Sequence, residues 1–100
     1  MNNDKELVQE DIIDLSQANN GVLNETLMGV FGDNVFFPKK IKGTRSEVDK
    51  FLRALSKEKN YMSSYKKYGL SDKRTYDNKY KLDKAVQDFE KETNLKWPFK

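Results

Sequence analysis

The chain contains no cysteine and no histidine, and only two prolines and five glycines in 100 residues. Without cysteine there is no disulfide framework, thiol nucleophile or thiolate metal site. Without histidine there is no imidazole ligand for zinc or iron and no His-based catalytic triad. No unshifted side chain titrates near neutrality. The glycines, Gly21, Gly29, Gly32, Gly43 and Gly69, form no phosphate-cradling loop, and no Lys-Ser or Lys-Thr follows them in Walker fashion. The longest unbroken apolar run is Val35-Phe36-Phe37, far too short to span a bilayer. The N-terminus, Met1-Asn2-Asn3-Asp4, is acidic and lacks the apolar stretch of a signal peptide. These absences point to a soluble intracellular protein, expected in the cytoplasm and not at a membrane.

The charges are abundant and unevenly placed. Charged residues make up 35% of the chain and the net charge is +3. Residues 1–35 carry seven acids and one base, a net −6, while residues 36–100 carry 18 bases and nine acids, a net +9. Such asymmetry suits a polyanionic partner, or attraction between the two parts of the chain. Lysine outnumbers arginine 16 to three. This is the residue usage of an AT-rich genome, such as that of a low-GC bacterium or a phage, whose product would act in the host cytoplasm or the virion.

The length allows one small domain. Leu7, Val8, Ile12, Ile13 and Leu15, with acids between them, predict an amphipathic helix from about Lys5 to Ala18. Asn19-Asn20-Gly21 stops it. A second, short helix is expected over Val22–Phe31, with a strand as the alternative because Gly29 lies inside. Gly32-Asp33-Asn34 reads as a turn and Val35-Phe36-Phe37-Pro38 as a short extended piece. Lys39-Lys40-Ile41-Lys42-Gly43 is a basic loop or a further short strand.

Thr44-Arg45-Ser46-Glu47 is the strongest local signal. The Thr44 hydroxyl can accept from the Glu47 amide while the Glu47 carboxylate accepts from the Thr44 amide. The helix it opens passes through Val48, Phe51, Leu52, Leu55, Met62 and Tyr65 and ends at Tyr68-Gly69-Leu70, with Gly69 left-handed and Leu70 packing back. A last helix from Asp72 or Thr75 to Glu92 has a core stripe of Leu82, Ala85, Val86 and Phe89. In the tail, Leu95, Trp97 and Phe99 would share one face if extended. The tail holds the one Trp, so it is expected to dock, beside Val35–Phe37 as a small two-stranded pairing. The expected fold is mainly α, a single small domain of three to four helices with at most a short two-stranded β element. Its expected core is Ile12, Leu15, Leu23, Leu27, Phe36, Phe51, Leu52, Leu55, Leu82, Val86, Phe89 and Trp97.

On the Thr44–Tyr68 helix, Lys50, Arg53, Lys57, Asn60, Tyr61, Ser64 and Tyr68 recur at spacings of three and four. Lysine and arginine neutralise phosphates and tyrosine offers a stacking surface, so this face is a candidate nucleic-acid contact. The basic loop Lys39, Lys40, Lys42 would extend it. The last helix repeats the pattern with Tyr76 and Tyr80. The competing reading is an ordinary solvated face with tyrosines at the core boundary. Lysine dominance argues against bidentate base readout and for backbone contact, to DNA or RNA, with little sequence preference. The core stripe is interrupted after Leu55, with Lys59 inside it and Glu58 at its margin, which predicts a helix end running past the body into solvent. No metal-loop spacing and no cofactor motif is present. Catalysis is not expected. The alternative function is a protein-interaction or assembly module, a phage accessory or virion part or an inhibitor of a host protein, using the acidic N-terminal helix and the apolar tail.

Overall fold

The computed structural model describes residues 12–31 and 40–99. They form a small, mainly helical domain of three helices and a two-stranded parallel sheet: β1 Ile12–Asp14, α1 Asn20–Phe31, β2 Lys40–Lys42, α2 Arg45–Tyr68 and α3 Lys73–Thr93.

The expected helix over Lys5–Ala18 is corrected where it is described: Ile12–Asp14 is a strand and a turn follows. Two adjacent β-branched isoleucines favour extended backbone. Asp14 then ends the strand, its Oδ1 accepting from the Ser16 amide at 3.1 Å and the Ser16 hydroxyl at 2.6 Å. β1 pairs with β2 in the register Ile12↔Lys40, Ile13↔Ile41, Asp14↔Lys42, and the Leu15 amide continues the ladder to the Lys42 carbonyl at 2.8 Å. Two parallel strands need a crossover, and the chain between them contains α1. The alternation of a strand buries Ile13 and leaves Ile12 half-buried, so the core residue is Ile13 and not Ile12.

α1 starts where the Asn19 side chain accepts from the Val22 amide at 2.9 Å. Leu23 and Leu27, four apart, are its buried residues. The Thr44 capping box opens α2: Thr44 N donates to Glu47 Oε1 at 2.8 Å and Glu47 N to Thr44 Oγ1 at 3.1 Å. Gly69 closes the helix with φ 85° and ψ 171°. That is not the left-handed helical conformation, so the return contact does not form and Leu70 stays exposed. Asp72 caps α3 by accepting from the Arg74 amide at 2.9 Å, and Asn94 ends it in the left-handed conformation.

α2 and α3 form an antiparallel hairpin, with Phe51 against Phe89 near one end and Ser64 bonded to Asn78 near the other. Phe51, Phe89 and Trp97 make the aromatic centre, with ring centroids 5.3 to 6.4 Å apart. The tail packs here through Leu95 and Trp97 without becoming a strand; its expected partner Val35–Phe37, and Phe36 as a core residue, lie outside the described residues. Side chains outside the tail accept from its backbone: Trp97 N donates to Glu90 Oε2 at 2.7 Å and Lys96 N to Asn20 Oδ1 at 2.9 Å.

The core stripe of α2 also differs from the expected one. Leu52 is 41% exposed, whereas Ala54 and Glu58 are buried and Lys59 is exposed. α2 does not run past the body: α3 covers it as far as Ser64, which is buried. Its buried line passes from Phe51, Ala54, Leu55 and Glu58 round to Ser64.

Candidate nucleic-acid interface

The residues singled out on α2 fall into two groups. Lys50, Arg53 and Lys57 occupy its first half at spacings of three and four, with Arg53 exposed and the two lysines half-buried. No carboxylate among the described residues forms an ion pair with any of the three; the pairs described there belong to other bases. They are therefore cations held on a helix without, among the described residues, a compensating carboxylate in contact.

The second group is already engaged. Tyr61 is half-buried against the core, with Lys79 Nζ 5.9 Å from its ring centroid. Ser64 is buried and accepts from Asn78 Nδ2. Tyr68 is half-buried and carries the Arg74 guanidinium 3.5 Å from its ring centroid, which occupies one stacking face. The α2 face is thus continuous in sequence but divided in space, because α3 crosses over its second half. Lys40 and Lys42 are exposed on β2, just before the α2 cap, and Lys39 lies outside the described residues.

The tyrosines open to solvent are Tyr65, Tyr76 and Tyr80, each at least half exposed. Three bases near Tyr76 and Tyr80 are paired, Lys73 with Asp77 at 3.4 Å, Arg74 with Asp72 at 3.0 Å and Lys79 with Asp83 at 2.8 Å, while Lys84 Nζ lies 5.9 Å from the Tyr80 ring centroid. The hydrogen bonds from Arg74 hold the Asp72 carboxyl down at about 2 and, reciprocally, raise the Arg74 guanidinium. Bonding to Asp83 likewise raises Lys79. The α3 surface therefore offers exposed rings with partly balanced charge, whereas the first half of α2 offers unbalanced charge without rings.

Sequence periodicity missed one polar residue of consequence. Glu58 is only 4% exposed, and its Oε1 accepts from the indole Nε1 of Trp97 at 2.8 Å. Burial pushes its carboxyl up, partly offset by the indole hydrogen bond and the Lys79 charge. It lies at one side of a cleft of about 340 Å³ with Met28, Phe31, Met62 and Phe99. The signal that could have found it is the lone Trp, whose N–H needs an acceptor when buried.

Among the described residues there is no group of three or more acidic side chains placed to hold a metal ion, and no helix long and apolar enough to cross a membrane. Comparisons with protein-family models, curated proteins and solved structures gave no match.

Proposed function

We propose that the chain is a non-enzymatic nucleic-acid-binding module that contacts phosphates, with little sequence preference, through Lys50, Arg53 and Lys57 on α2. The observation that carries this reading is that Lys50, Arg53 and Lys57 recur at helical spacing on one stretch of α2 with, among the described residues, no ion-pair partner, whereas Lys73, Arg74 and Lys79 on α3 each have one. A base already paired has less to gain from a phosphate; an unpaired one gains the full release of condensed counterions. The exposed β2 lysines, Lys40 and Lys42, supply further positive charge in the same reading. The setting we propose is the cytoplasm.

The packing of Tyr61 and Tyr68 reshapes the expected mode. With these rings engaged inside the protein, stacking of unpaired bases contributes little beside Lys50, Arg53 and Lys57, and duplex and single strand should bind with similar affinity. The protein-contact alternative draws less support, because Leu95 and Trp97 of the apolar tail are buried in the chain's own core.

The test is binding of duplex and single-stranded oligonucleotides over a range of salt. Affinity should fall linearly on a log–log plot, the three α2 bases contributing a slope of roughly −2 to −3 if each meets one phosphate. Changing Lys50, Arg53 and Lys57 together to Glu should abolish binding while the circular dichroism spectrum stays that of the parent. No binding at low salt, or unchanged binding by the triple variant, would remove the proposal.

A further inference from the structure

The cleft beside Glu58 lies between α1, α2 and the C-terminal tail. Met28 and Phe31 come from α1, Glu58 and Met62 from α2, and Phe99 from the tail. Phe31 and Phe99 meet edge to face at 5.9 Å. Its volume, about 340 Å³, is that of a small-molecule site. Of its five lining residues among those described, four are apolar and the fifth is a carboxylate.

That carboxylate is incompletely satisfied. Among the described residues its one hydrogen-bond donor is Trp97 Nε1, which leaves most of its acceptor capacity unused. The cation facing it from α3, Lys79, is bonded to Asp83 at 2.8 Å, and Asp83 itself adds a repulsive charge. An anion with one neutral donor, set among methionine and phenylalanine side chains, is the complement of a positive head on an apolar chain. An ammonium would meet Glu58, while an alkyl part would pack against Met28, Phe31, Met62 and Phe99.

We propose that this cleft binds a small amphipathic primary amine, its ammonium on the Glu58 carboxylate and its alkyl chain against the phenylalanine pair. The site is separate from the α2 cations and does not depend on nucleic-acid binding.

Trp97 is the one tryptophan of the chain and donates to Glu58, so its emission reports on the site. The full chain is titrated at neutral pH with n-hexylamine, n-hexanol and n-hexanoate. Hexylamine should change the emission saturably at about tenfold lower concentration than hexanol, and hexanoate should have no effect. Equal responses to hexylamine and hexanol would show apolar partition alone and overturn the proposal, as would no saturable response to hexylamine. Glu58→Gln keeps an oxygen for the indole N–H and removes the charge, so the preference for the amine should vanish; its persistence overturns the proposal. Met62→Lys, at a half-buried position, places a tethered ammonium in the cleft and should block hexylamine. Unchanged hexylamine binding by this second variant also overturns the proposal, and thermal melts establish that each variant is folded.

Discussion

At Glu58 a buried carboxylate accepts from the indole N–H of Trp97 at a position where an aliphatic side chain would be expected. Burial resists its ionisation, so its folded carboxyl titrates above the ordinary value of 4.5. Between that value and the raised one, the folded state holds more protons than the unfolded state, and stability falls as pH rises through the window. Asp72 acts in the opposite sense. Its carboxyl, lowered from 3.8 to about 2, adds stability above the ordinary range that is lost as pH falls through the lower value. Glu58→Gln should therefore leave the acid-side loss intact and remove the decline above about pH 4.5. At pH 7 the variant should be at least as stable as the parent, measured by urea midpoints across pH. A variant less stable at every pH would contradict the assignment. The sequence offered little warning of this residue. Glu58 stands beside Lys59 at an interruption of the apolar stripe, and composition places both in solvent. What buries one of them is a tryptophan 39 residues further on. The same non-local packing chooses Ala54 over Leu52 for the core, which side-chain hydrophobicity alone reverses.

Elements whose ends are chemically local were legible. Thr44 and Glu47 close a reciprocal cap within four residues, and Asp72 and Asn94 bracket α3 by hydrogen bonds to their own neighbourhood. The strand Ile12–Asp14 was not, and Lys40–Lys42 was legible only as one of two alternatives, a loop or a short strand, because both acquire their conformation by pairing across α1. A three-residue strand carries too few side chains for a period of two to stand out from one of 3.6. Gly43 joins these two kinds of information. Its φ is 150°, and an added Cβ would lie 2.8 Å from Glu47 Oε1 and 3.3 Å from Leu15 Cβ. Alanine there would push the capping carboxylate off the Thr44 amide and press on the end of β1. Thr44→Ala, which removes one half of the box, should destabilise by about 1 kcal/mol. Gly43→Ala should exceed it, because strain and the β1 contact add to the damaged cap. Thermal melts of the two variants check this order; a milder effect for Gly43→Ala would disconnect the cap from the sheet.

On the scale of the whole molecule, the hairpin is the frame and the remaining described elements gather at one of its ends. The extents are 49 × 29 × 19 Å, consistent with a long hairpin closed over part of its length. There the tail completes what α2 and α3 leave open: Trp97 contacts both Phe51 and Phe89, Leu95 is buried beside them, and backbone amides of the tail bond to Asn20 and Glu90. Removing a buried tryptophan side chain alone costs about 3–5 kcal/mol. Removing residues 94–100 also loses Leu95, uncovers Phe51 and Phe89, and leaves the Glu58 carboxylate without its indole donor. Domains of this size have about 5–15 kcal/mol in total. The chain ending at Thr93 should therefore keep helical far-ultraviolet dichroism at most, while losing cooperative melting and gaining dye-accessible apolar surface. Trp97→Phe separates the two contributions. It retains a ring against Phe51 and Phe89 but removes the N–H, so it should fold cooperatively with a loss of about 1–3 kcal/mol. A truncated chain that melts within a few degrees of the parent would mean that the hairpin, α1 and the sheet suffice, and that the aromatic centre is not what holds them together.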